Sequence, residues 1–108
     1  MIPSAVAFEW ESDQLAQEAL LVLHAGPVGG PGSETFQIEV VTLAGLAARV
    51  ARDKTVIGRH LLIVEAIDQW RIELFIEDRL RRISGETWND VALKIGRLGY
   101  WEFEDYTE

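Results

Sequence analysis

The chain reads as an α+β protein, with a small antiparallel or mixed sheet of about four strands and about three helices packed on it. Three observations predict this class. Apolar residues alternate with period two near the start and again after a Gly/Pro break, they recur at helical spacing in the second half, and a short apolar run with two β-branched residues lies between the helical stretches. At 108 residues the chain has room for one core, so residues 1–108 are expected to form one domain.

The elements follow in order. Val6, Phe8 and Trp10 alternate with Ala7, Glu9 and Glu11, as expected of a strand with one buried face. Gln14 to His24 has two readings: Leu15, Ala19 and Val22 suit a helix, whereas the run Ala19 to Leu23 suits a strand buried on both faces, and the strand is preferred. Gly26-Pro27-Val28-Gly29-Gly30-Pro31-Gly32 excludes a helix and a continuous central strand and reads as a hairpin connection. Phe36, Ile38 and Val40, alternating with Gln37 and Glu39, form the returning strand.

Leu43, Leu46, Ala47 and Val50 then recur at helical spacing behind Thr42, a suitable N-cap, and predict a short amphipathic helix. Leu61-Leu62-Ile63-Val64 predicts a central strand covered on both sides. Ile72, Phe75, Ile76, Leu80 and Ile83 mark one stripe of a long helix capped by Asp68 and stopped at Ser84-Gly85, with Glu73, Glu77, Asp78, Arg81 and Arg82 on its other face. Thr87-Trp88-Asn89-Asp90 has capping-box spacing, and Trp88, Val91, Ala92, Ile95 and Leu98 continue as a last helix ending near Gly99.

Composition narrows the function. Cysteine is absent, which removes disulfides, thiolate metal sites and a Cys nucleophile and fits a reducing compartment. The first residues lack the basic and apolar regions of a secretory signal. The longest apolar runs fall far short of the roughly 20 residues of a membrane helix. A cytoplasmic protein with no membrane contact is expected. The net charge of −8 is unevenly spread: residues 1–48 carry six acids and no base, 49–97 eight acids and all ten bases, and 98–108 four acids and no base. The surplus therefore sits at the two ends, and nucleic acid, which needs a basic stripe, is an unsuitable ligand.

No converging catalytic set is legible. His24, before the Gly/Pro break, reads as a strand-end imidazole bonded to backbone, and His60 stands beside Arg59. Neither histidine has a partner at metal-ligand spacing, so no metal and no cofactor are expected. An enzyme built on Arg59, His60 and Glu65 would need convergence, yet strand alternation would turn His60 away from the other two. The serines lack nucleophile-elbow glycines, and the Gly-rich loop lacks the Lys-Ser/Thr of a phosphate cradle.

The ending Tyr100-Trp101-Glu102-Phe103-Glu104-Asp105-Tyr106-Thr107-Glu108 interleaves rings with carboxylates. Such a segment suits protein recognition, the rings supplying desolvated area and the acids steering a basic partner. Trp101 and Phe103 are expected instead to plug the chain's own core.

Three blocks carry a resemblance: Gly58 to Glu65, Gly85-Glu86-Thr87-Trp88-Asn89-Asp90-Val91-Ala92, and Arg97 to Tyr106. In order and spacing they resemble the immunity protein 8 family of bacterial polymorphic-toxin and contact-dependent growth inhibition systems. The resemblance implies a protein that binds and neutralises a cognate toxin domain, often a nuclease, and it implies no catalytic residue. A nuclease needs a basic surface for phosphates, which an acidic protein is suited to block. The partner-binding residues expected on this basis are Glu9, Glu11, Glu102, Glu104, Asp105 and Tyr106. The alternative is an acidic adaptor or nucleic-acid mimic that binds a basic host protein.

Overall fold

A computed structural model describes residues 1–11 and 17–101. Its elements run β1 (Pro3–Glu11), β2 (Glu18–Pro27), β3 (Glu34–Thr42), α1 (Leu43–Asp53), β4 (Leu61–Val64), α2 (Gln69–Leu80), α3 (Trp88–Ile95) and β5 (Tyr100–Trp101). The result is the expected α+β class, a five-stranded mixed sheet with three helices. The strands β1, β2 and β3 form an antiparallel meander, β4 joins β3 in parallel, and β5 pairs antiparallel with the opening residues of β3. The Gly/Pro segment connects β2 to β3 as expected, with Gly29 and Gly32 at positive φ.

One face of the sheet builds the core. Leu21 and Leu23 from β2, Phe36, Ile38 and Val40 from β3, and Trp101 from β5 are buried against Ile72, Ile76 and Leu80 of α2 and Val91 and Ile95 of α3. Phe36 and Trp101 stack with ring centroids 6.2 Å apart, so Trp101 does plug the core; Phe103 lies outside the described residues.

The helix starts were legible because caps are local. The hydroxyls of Thr42 and Thr87 accept from the amides of Gly45 and Asp90, both at 3.1 Å, and the Asp68 carboxylate accepts from Arg71 N at 3.2 Å. α2 ends at Leu80, before the Ser84-Gly85 stop, and Ile83 packs on the core from beyond the helix.

Five expectations need correction. Val6 is 63% exposed, because the β1–β2 register shifts between Ala5 and Ala7; this bulge turns Ala5 inward together with Phe8 and Trp10. In β2, Leu20 and Val22 are only half-buried, so the strand is fully covered on one face alone. The run 61–64 is not central: β4 pairs only with β3 among the described strands, and Ile63 is 50% exposed. Helix α1 buries only Gly45, leaving Leu43 70% exposed, so its apolar stripe does not face the core. Phe75 stands outside the buried stripe of α2, where Arg79 lies over its ring at 5.0 Å. None of the helices among the described residues is long and apolar enough to cross a membrane.

Candidate protein-binding face

The same alternation that buries one side of the sheet presents the other side outward, and the register aligns its residues in rows. Glu11, Leu20, Glu39 and Leu61 form one row across β1, β2, β3 and β4. Glu9, Val22, Gln37 and Tyr100 form the next across β1, β2, β3 and β5, and Ala7, His24 and Thr35 the third. At about 4.8 Å per strand, Glu9 and Tyr100 are roughly 14 Å apart. The two ends of the chain therefore contribute to one face, at least as far as Tyr100.

Two clusters of polar contacts organise this face. Arg49 of α1 reaches back over the sheet, its Nε donating to Glu18 Oε1 at 3.0 Å and its Nη1 to Glu39 Oε2 at 3.1 Å. The Glu18 hydrogen bond holds the guanidinium above its ordinary range, opposed by burial and aided by the bond to Glu39. One cation thus pins two carboxylates that flank the half-buried Leu20 in a concavity also lined by Glu11. In the second cluster, His24 Nε2 donates to Glu9 Oε1 at 2.8 Å while its Nδ1 is hydrogen-bonded to Thr35 Oγ1 at 3.3 Å.

His24 is therefore held by side chains rather than by backbone, a correction that follows from the diagonal approach of Glu9 across the β1–β2 pair. The backbone-bonded histidine is His60, whose Nε2 donates to Gly96 O at 2.7 Å and whose φ is 62°. Arg59 and His60 lie in the turn before β4 rather than on the strand.

Of the expected partner-binding residues, Glu9 and Glu11 stand exposed on this face. Glu102, Glu104, Asp105 and Tyr106 lie outside the described residues. Residue-level reading missed Glu18, Glu39 and Arg49. Glu39 carried a signal, since it alternates with the buried Ile38 and Val40; the clamp by Arg49 did not, because it spans 31 residues to Glu18. The register and the ion pairs place four carboxylates on this face, Glu9, Glu11, Glu18 and Glu39, with the guanidinium of Arg49 clamped between the last two. On α2 and the turn after it, which pack on the other face, Arg71 pairs with Asp68 and both Arg81 and Arg82 with Asp78. No group of three or more His, Asp or Glu among the described residues is placed to hold a metal ion.

Fold and surface together define a small mixed-sheet α+β protein whose sheet face away from α2 and α3 mixes carboxylates with half-exposed apolar side chains, the composition of a recognition surface. The chain belongs to the immunity protein 8 family, whose model it matches over residues 4–106. The match includes the N-terminal hairpin as well as the three blocks singled out in the sequence. No curated protein and no solved structure matches the chain. Family membership makes it an immunity protein, with a cognate toxin as its partner.

Proposed function

We propose that this immunity protein neutralises its toxin by occlusion, laying the open face of the sheet over a basic surface of the toxin, and that the toxin is a nuclease. The observation that carries the reading is the double row Glu11-Leu20-Glu39 and Glu9-Val22-Gln37-Tyr100. Carboxylates on β1 and β3 border a half-buried apolar strip on β2, so a partner meets charge that steers it and area that holds it. Glu102, Glu104, Asp105 and Tyr106 extend the binding set at the C-terminal end. A nuclease fits because its phosphate-binding surface is the basic patch that such a face complements. The protein acts in the cytoplasm of the toxin-producing cell and of its siblings, and inhibition needs no catalytic step from it.

Complexes of this kind bury about 1,600 Å² in total and reach nanomolar dissociation, about −12 kcal/mol. The test is association with the cognate toxin at low salt, measured for the protein and for the double variant Glu9→Lys, Glu11→Lys. The variant should associate at least about tenfold more slowly and with a flatter salt dependence. Equal rates at low salt would remove these residues from the interface.

A further inference from the structure

Glu34 opens β3 two residues before Phe36, so the alternation that buries Phe36, Ile38 and Val40 turns Glu34 to the helix-covered face as well. It is the acid of β3 that Glu39 is not: Glu39 faces the open side, Glu34 the side of α3. One of its carboxylate oxygens, Oε2, is buried and has no hydrogen-bond partner. Glu34 also makes no ion pair among the described residues. A buried carboxylate oxygen without a donor costs free energy, so Glu34 gains by turning its carboxylate to a donor offered at its partly exposed side.

The surroundings specify that donor. Glu34 lines a cavity of about 320 Å³ with Trp88, Pro27, Pro31, Gly32 and Ser33. This is the low end of the size range for ligand sites and suits one side chain better than a larger molecule. The walls are an indole and two proline rings, and the charge is a single carboxylate. A guanidinium meets both demands: its planar face stacks on an indole while its edge donates to a carboxylate, and an ammonium can do only the second well. Among the described residues no basic side chain lines the cavity, so none of them would hold the α-carboxylate of a free amino acid.

We propose that the Glu34–Trp88 pocket receives an arginine side chain presented by a partner protein, with Glu34 pairing the guanidinium and Trp88 stacking on it. The pocket lies on the opposite face of the sheet from Glu9 and Glu39, and the proposal holds or fails independently of the toxin-binding reading.

The test is an NMR titration of the full chain with the capped peptide acetyl-Gly-Arg-Gly-amide, compared with its citrulline counterpart and with free L-arginine. The arginine peptide should shift the Trp88 indole N–H and the Gly32 and Ser33 amides to saturation, and the citrulline peptide should bind about tenfold more weakly or worse. Glu34→Gln should lose about tenfold in affinity, with the Trp10 indole signal unmoved as a report on the fold. Glu34→Asp keeps the charge but withdraws it by one methylene, and should bind several-fold more weakly. Absence of a saturable shift at Trp88, an equal response to citrulline, or unchanged affinity in both Glu34 variants would overturn the proposal. Free L-arginine, which offers the same guanidinium, should bind no more tightly than the peptide; clearly tighter binding of the free amino acid would overturn the proposal too, making the pocket a metabolite site.

Discussion

Single side chains on this protein carry their weight through long-range contacts that bridge elements. Arg49 is the first base of the chain after 48 residues without one, and it closes on the two carboxylates that alternation turns outward from β2 and β3. Its guanidinium is largely covered while the carboxylates stay half-open, with side-chain exposures of 16%, 44% and 54% for Arg49, Glu18 and Glu39. Screening by solvent at the carboxylates keeps such a pair modest. Arg49→Met is expected to lower stability by about 1 kcal/mol in urea denaturation and to leave the fold intact. On the opposite face, Trp10 Nε1 donates to Glu73 Oε2 at 2.9 Å and ties β1 to α2. Trp10→Phe keeps the ring and removes the donor; a loss of about 1 kcal/mol is expected, read from the same urea titration.

At the scale of elements, the positions where chain segments touch closely set the tolerances. Gly45 lies inside α1, where alanine would be preferred by about 1 kcal/mol on helix propensity. A Cβ there would stand 2.5 Å from Gln17 O, a backbone atom that also accepts from Thr42 N. Gly45→Ala should therefore destabilise by about 2 kcal/mol, the opposite of what propensity predicts, measured as a fall in the thermal midpoint. Gly99 repeats the logic ahead of β5: a Cβ would meet Ile38 Cγ1 at 2.7 Å and Gln37 O at 3.0 Å. Gly99→Ala should push β5 off β3 and expose Trp101, visible as a red shift in tryptophan emission together with reduced stability.

Elements were legible to different degrees, for physical reasons. Helix starts were read correctly because Thr42, Asp68 and Thr87 cap amides three residues away, within the reach of a local signal. The strand identity of residues around Ala19 to Leu23 was legible from the run of apolar residues, yet its one-sided burial was not, since that depends on what covers the sheet. The parity of β1 failed at Val6 because a bulge adds one residue without any mark in composition. β4 was read as central from four apolar residues; among the described strands it instead joins β3 alone, and the half-exposure of Ile63 follows from that placement.

Across the whole molecule, charge is sorted by face. The open side of the sheet carries Glu9, Glu11, Glu18 and Glu39, and the far side of the helix layer carries the arginines of α2 and its C-cap, several paired with neighbouring acids. The helix layer adds roughly 10 Å between them, more than the Debye length of about 8 Å at physiological salt. Steering of a basic partner should then be a property of the near face rather than of net charge. Reversing Arg79, Arg81 and Arg82 to Glu makes the chain more acidic overall, yet it is expected to change the toxin association rate by less than about twofold at physiological salt. A large acceleration, measured by stopped flow, would show that net charge governs the encounter.

The sequence by itself determined the α+β class, the caps, the position of the hairpin connection, the family, and the fact that acid surplus belongs to the two ends of the chain. All of these rest on signals that span a few residues or on simple counts. Only the tertiary structure decided that Glu9, Glu11, Glu18 and Glu39 share one face with Tyr100, that Arg49 clamps two of them, and that Glu34 turns the other way beside Trp88. Strand order, register and a single bulge set those neighbours, and each is a pairing between residues far apart in the chain, where local periodicity carries no information.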